Sequence, residues 1–192
     1  MFLVNWFWSA LQSLGLANKH ARLVLLGLDN SGKTTLLGML RDNRMVQNIP
    51  THHPTTEELT MGNVTFYAQD VGGHASVRKV WQDYYQDVHA IVYIVDASDW
   101  ERIGESKREL EQLMLTCTNT SIPILVLGNK VDAVGAFSEP QFREAMGLTQ
   151  TSGKGPGSVP LPVGERPHEV FMCSIAERHG YREGFVWLSQ YI

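Results

Sequence analysis

Cysteine is scarce in this chain: Cys117 and Cys173 are the only two, far apart and without C-x-x-C spacing. That excludes a disulfide framework and a zinc ligand pattern, and it suits two ordinary thiols in a reducing compartment. Runs of one charge are missing too. Lys and Arg number 16 against 20 Asp and Glu, for a net charge of −4 at pH 7, and no basic cluster supplies an electrostatic footprint for nucleic acid. The composition also lacks the bias of disordered or collagen-like chains. What is present is 192 residues, 43% hydrophobic and 19% charged, enough for one domain with a proper core.

Residues 1–16 carry no charged side chain, and Gly15 supplies a helix stop. At roughly 100° per residue, Leu3, Val4, Phe7, Leu11 and Leu14 share one face and Asn5, Ser9 and Gln12 the opposite one. The expectation is an amphipathic helix within 1–18, followed by a single domain over 19–192. The helix is too short, and too polar on one side, to span a bilayer, and it lacks the basic start of a secretory signal. Phe2 stands where myristoylation would need glycine. Phe2, Trp6, Phe7 and Trp8 suit a lipid interface, where each well-buried large side chain contributes roughly 1.5 to 3 kcal/mol.

Beyond Arg22, the apolar run 23–26 reads as a buried strand ending at Gly27, with a helix over 34–41. Further strands are expected at 57–61, 64–70, 90–96, 122–128 and 169–173. Helical patterns fall at 77–86, 101–117, 139–146 and 182–191. Strands alternate with helices except where Gly62-Asn63 favours a tight hairpin. The predicted fold class is therefore α/β: a six-stranded, mostly parallel sheet with one antiparallel edge strand, flanked by helices. The Gly/Pro/Ser-rich stretch 149–167 reads as a solvated loop.

Gly27-Leu28-Asp29-Asn30-Ser31-Gly32-Lys33-Thr34 matches the P-loop pattern and lies between a strand and a helix, where its mechanism requires it. Glycines let the backbone curl so that N–H groups and the helix N-terminus meet phosphates. Lys33 adds a point charge near the β- and γ-phosphates, and the Thr34 hydroxyl is a Mg²⁺ ligand. Asn129-Lys130-Val131-Asp132 follows an apolar strand at the carboxyl edge of the sheet. A carboxylate at Asp132 can accept both N–H groups on guanine's Watson–Crick side, whereas adenine would leave it unpaired, and that penalty selects guanine. Backbone N–H groups at Ser174, Ile175 and Ala176 are placed to reach the guanine carbonyl oxygen.

Asp70-Val71-Gly72-Gly73-His74 ends the third strand, putting Asp70 near Mg²⁺ and Gly73 near the γ-phosphate. A neutral His74 imidazole can hydrogen-bond an attacking water and favour in-line attack. In the polar loop before the second strand, Thr51, Thr55 and Thr56 compete for the role of the threonine that joins Mg²⁺ and the γ-phosphate; Thr55 is preferred. Both loops bracket the hairpin 57–70, so loss of the γ-phosphate would release both ends of one element.

These residues resemble the Sar (secretion-associated, Ras-related) small GTPases, close relatives of the Arf family. The resemblance runs from the aromatic N-terminus through residues 27–35, His53-Pro54-Thr55-Thr56-Glu57-Glu58-Leu59 and 70–74 to Trp187-Leu188-Ser189-Gln190-Tyr191-Ile192. Ser31 and Thr56 occupy positions open to other small residues in that family. The resemblance implies a P-loop small G-protein domain that hydrolyses GTP to GDP with Mg²⁺ and starts COPII coat assembly for endoplasmic reticulum to Golgi transport. It also implies a cytosolic protein peripheral on the endoplasmic reticulum membrane. A membrane exchange factor would load it, coat subunits would bind its GTP form, and one of them would accelerate hydrolysis. It places catalysis on His74, Thr55 and Lys33. Nucleotide binding falls on Asp29, Asn30, Ser31, Gly32, Lys33, Thr34, Thr35, Gly73, Asn129, Lys130, Asp132, Ser174, Ile175 and Ala176, and metal binding on Thr34, Thr55 and Asp70. A scaffold with little turnover is the alternative, although such a protein would be expected to have lost Lys33, Thr34 or Asp70. A P-loop kinase would need a basic lid that 149–167 is too poor in arginine to form.

Overall fold

The computed structural model describes residues 21–42, 56–61, 64–69, 88–155, 162 and 164–192. Among the described residues there are six strands, β1 (Ala21–Leu26), β2 (Thr56–Met61), β3 (Val64–Gln69), β4 (Ala90–Asp96), β5 (Ile124–Asn129) and β6 (His168–Met172). They form one sheet in the order β2-β3-β1-β4-β5-β6. Only β2 runs antiparallel, pairing with β3 from Thr56 opposite Gln69 to Met61 opposite Val64. Every other pairing is parallel, so the sheet class expected from the alternating pattern is the one observed.

Helices α1 (Lys33–Asp42), α2 (Ile103–Thr116), α3 (Glu139–Met146) and α4 (Tyr181–Leu188) cover the two faces, and a 3₁₀ turn (Ser189–Tyr191) ends the chain. On one face Leu23, Leu25, Val92, Leu125 and Leu127 pack with Leu36, Leu37 and Leu40 of α1 and with Phe185, Trp187 and Leu188 of α4. On the other, Val24, Tyr93, Val95 and Val126 pack with Leu110 and Leu113 of α2 and with Phe142 and Met146 of α3. A strand buried on both faces needs no polar alternation, which is why Ala90-Ile91-Val92-Tyr93-Ile94-Val95 is continuous apolar sequence, each residue at most 1% exposed. The one polar group in that run, the Tyr93 hydroxyl, is satisfied by donating to Ser106 O at 2.9 Å.

Chain direction switches sides at β1, which pairs with β3 on one side and β4 on the other. In open α/β sheets ligands bind outside the carboxyl ends of the strands at such a switch point. The phosphate-loop sequence leaves the carboxyl end of β1, and the 129–132 turn leaves β5 two strands away.

The strand 90–96 and the helix 139–146 have the expected ends, and the other described elements differ from expectation by up to three residues at an end, because caps and register, not hydrophobicity, set them. The larger difference is the 149–167 stretch, whose described part is not simply solvated. Ser152 is buried, its N–H donates to His168 O at 3.0 Å and its hydroxyl accepts the His168 N–H at 2.9 Å, so this segment covers the edge of β6. Trp187 Nε1 donates to Gly153 O at 2.9 Å and fastens the same segment to α4.

Candidate nucleotide site

The loop between β1 and α1 owes its shape to two glycines. Gly27 has φ +139°, and a Cβ there would lie 2.0 Å from Ile94 O; at Gly32, φ +111°, a Cβ would lie 2.4 Å from Asn129 Nδ2. Both positions bring backbone against a neighbouring strand end, which only glycine permits. Asn30 takes φ 61°, a conformation asparagine tolerates. The curl delivers Lys33 to the first residue of α1, where the helix amides are open at their N-terminal end. Lys33 is 2% exposed, and its Nζ donates to Gly27 O at 2.9 Å and Leu28 O at 2.6 Å, across the concave side of the loop. An ammonium held by backbone carbonyls within an anion cradle is poised to exchange into contacts with phosphate oxygens.

Asn129 joins this loop to the other end of the site. Only 3% exposed, it donates from Nδ2 to Ser31 O at 2.8 Å and accepts at Oδ1 from the Ile175 N–H at 3.0 Å. One amide therefore ties together segments 98 and 46 residues away. The next residue, Lys130, has φ 66°, and its Nζ pairs with Asp96 Oδ2 at 2.6 Å. Asp96 is fixed in turn by Ser98, whose N–H and hydroxyl donate to Oδ1 at 2.9 and 2.6 Å. The turn is pinned from both sides, by Ala97 N–H to Asn129 O at 2.7 Å and Val131 N–H to Cys173 O at 3.3 Å. Asp132 is exposed beyond it. Burial, and then the nearby Asp132 charge, push the Cys173 thiol well above its ordinary range, so that thiol stays protonated and inert.

Ser174 is fully buried, and its N–H donates to His179 O at 3.1 Å while its hydroxyl accepts from the Glu177 N–H at 3.0 Å. It shapes the loop from within, and because the Ile175 N–H is also spent, on Asn129 Oδ1, two of the three amides expected to reach a ligand are bonded within the protein, whereas Ala176 is the exposed residue of the three.

The structure thus brings Asp29, Asn30, Ser31, Gly32, Lys33, Thr34 and Thr35 to one end of the sheet together with Asn129, Lys130, Asp132, Ser174, Ile175 and Ala176. Thr55, Asp70, Gly73, His74, the helix expected within 1–18 and that expected over 77–86 lie outside the described residues. Sequence reasoning missed Asp96, Arg102 and Trp100. Asp96 carried a signal, as an acidic residue closing an apolar strand at the ligand-binding edge. Trp100 stacks on Phe137 at 3.7 Å between ring centroids and donates from Nε1 to Gly135 O at 2.6 Å, bracing the segment after Asp132. Nothing in its spacing announced that. Arg102 donates from Nη2 to Asp29 Oδ1 at 2.9 Å and from Nε to Glu105 Oε2 at 2.8 Å. The Arg102 guanidinium bonded to it holds the Asp29 carboxyl below the usual carboxylate range.

Mg²⁺ dehydrates reluctantly and takes one or two side-chain oxygens together with substrate phosphates. Thr34, the residue after the phosphate-loop lysine and half-buried on the first turn of α1, fits as one such hard-oxygen donor.

Fold and site together define a P-loop nucleoside-triphosphatase domain of the small G-protein kind. Comparison with known proteins agrees. The ADP-ribosylation factor family model matches residues 7–192. The chain is 48% identical to the small COPII coat GTPase SAR1 of Nicotiana tabacum over the full length of both, and 43% identical to that of Giardia intestinalis over 98% of each. It is 30% identical to ADP-ribosylation factor-like protein 3 of Chlamydomonas reinhardtii over 96% of this chain and 97% of that one. The chain belongs to the ADP-ribosylation factor family of small GTPases, which bind GTP and GDP and hydrolyse GTP.

Proposed function

We propose that this protein is a GTP-operated switch that initiates a COPII coat on the cytosolic face of the endoplasmic reticulum membrane. The observation that carries the reading is the Asn129 amide, buried and bonded at once to the phosphate loop and to the 174–176 loop. Such a hub lets base and phosphates be sensed by one framework. The coat assignment leans on the relatives named as small COPII coat GTPases, similar to this chain along its whole length.

In this reading Asp132 accepts the guanine N–H groups, Lys130 lies along the base, and Ala176 offers its amide to the guanine carbonyl oxygen. Lys33 and the amides from Asp29 to Thr35 hold the phosphates, and Gly73 lets the backbone approach the γ-phosphate. Thr34, Thr55 and Asp70 hold Mg²⁺, which when bound neutralises charge on the β- and γ-oxygens. His74 orients the attacking water. Residues 1–18 enter the membrane in the GTP state, driven by movement of the 57–70 hairpin when the γ-phosphate recruits the loops at its ends. A membrane exchange factor loads GTP, and an activating coat subunit that supplies an arginine raises hydrolysis by about 10³- to 10⁵-fold.

The test is sedimentation with liposomes in the presence of GDP, a non-hydrolysable GTP analogue, or an ATP analogue. Sedimentation with the GTP analogue alone is the expected result. Binding that ignores the nucleotide would remove the membrane switch while leaving the GTP site.

A further inference from the structure

Within the phosphate loop, Gly27 to Thr34, the only charged residues are Asp29 and Lys33. A carboxylate four residues before the lysine is out of keeping with a cradle for anions, because it opposes each phosphate that enters. Its partner is Arg102, 73 residues away, at 2.9 Å. Arg102 is held in place from three directions. Its own N–H donates to Asp99 Oδ1 at 3.1 Å, its Nε to Glu105 Oε2 at 2.8 Å, and its Nη2 to Asp29. That two-sided use of a planar fork is available to arginine and not to lysine. The Lys33 charge also acts on Asp29, after that of Arg102. The carboxylate therefore lies within electrostatic reach of the ammonium that meets phosphate in the reading above, on which this inference rests.

The pair is half-exposed, with side-chain exposures of 34% for Arg102 and 57% for Asp29. Ion pairs that open to solvent contribute little to folding. The pair gains importance when a strongly anionic ligand enters beside Asp29.

We propose that Arg102 is a positioning residue for nucleotide binding: by tethering and neutralising Asp29 it lets the phosphate loop accept a triphosphate, with less effect on a diphosphate. The difference arises because the third phosphate adds negative charge to a loop that would otherwise present its own carboxylate.

The experiment measures release of fluorescent GDP and of a fluorescent non-hydrolysable GTP analogue from the full chain with Mg²⁺. Arg102→Ala is expected to accelerate release of the GTP analogue about three- to tenfold, with GDP release changed less than about twofold. Removing the offending carboxylate as well, in Asp29→Asn/Arg102→Ala, should return the ratio of the two rates to near the wild-type value. A residue that only supports the fold would not be rescued by deleting its partner. If Arg102→Ala does not fold, Asp29→Asn alone decides, because it should slow release of the GTP analogue relative to GDP. Equal acceleration of both nucleotides, or a double variant no better than the single one, would overturn the role of Arg102. Wild-type protein that retains neither guanine nucleotide would sink the guanine site itself, an outcome visible before any variant is made.

Discussion

Asn129 and Glu169 invite comparison, since each is a buried polar side chain that gathers segments distant in sequence. Asn129, 3% exposed, holds Ser31 O and the Ile175 N–H. Glu169, 1% exposed, accepts from Arg143 Nη2 at 2.5 Å, the Thr151 hydroxyl at 2.8 Å and the Val170 N–H at 2.8 Å. Arg143 continues to Glu139 at 3.0 Å, and Glu139 to Lys154 at 2.7 Å. The second network closes on itself: every charge meets an opposite charge of the same protein, and it fastens the 149–155 segment to β6 and α3. The first is neutral and opens onto groups that suit a ligand, the Lys33 ammonium on one side and the exposed Asp132 on the other. Burial of a polar group therefore does not mark a functional site. What distinguishes the first hub is its neighbours, an exposed carboxylate at Asp132 and a lysine that donates to the neutral carbonyls of Gly27 and Leu28.

The contrast can be broken or sharpened by experiment. The largest effect is expected for Asp132→Ala. A site that pairs with a substrate N–H rejects the analogue lacking it by about 10⁴- to 10⁵-fold, so the preference for GTP over ATP should fall by about 10² or more in competition binding. Folding should hardly change, because Asp132 is exposed. Glu169→Ala should do the reverse. Arg143 would keep Glu139 but lose its buried carboxylate partner, at a cost of about 1–3 kcal/mol, read as a lower urea midpoint, with base preference unchanged. A shifted base preference in Glu169→Ala would erase the distinction between the two hubs.

The same carboxylate predicts an acid response. Burial alone would raise the Glu169 pKa, but Arg143, the Val170 N–H and the Thr151 hydroxyl outweigh it and hold the carboxyl below the usual carboxylate range. A folded-state pKa below the unfolded one means the stabilisation is full above about pH 4.5 and is lost as pH falls through the folded value. Glu169→Gln should accordingly flatten the decline of stability below about pH 4.5, measured by urea unfolding at stepped pH. The smallest effect concerns the phosphate loop. The Ser31 hydroxyl is buried with no partner among the described residues, so Ser31→Ala should raise stability by up to about 1 kcal/mol. A loss of stability would mean that the hydroxyl has a partner in solution.

Much of this architecture was legible in the chain. Alternating apolar runs and helical patterns sufficed for the sheet class, because a strand buried on both faces has to be apolar throughout, as 90–95 are. The P-loop and the 129–132 motif were legible because backbone curvature and hydrogen-bond chemistry demand particular residues at close spacing. The Arg102–Asp29 pair, the Asp96–Lys130 pair and the Trp100–Phe137 stack were not. Each joins side chains from different elements, whose meeting depends on strand order and helix entry.

The order β2-β3-β1-β4-β5-β6 sets which loops become neighbours. Local sequence thus determined the phosphate-loop motif, the 129–132 turn and the layered fold, since those follow from glycine conformations, hydrogen-bond chemistry and hydrophobic period over a few residues. Only the tertiary structure decided that Asn129 would span Ser31 and Ile175, that Arg102 would reach Asp29, and that the first part of an expected solvated loop would cover the edge of β6. Contacts of that kind depend on where the folded backbone places each side chain, and adjacency along the chain carries no record of it.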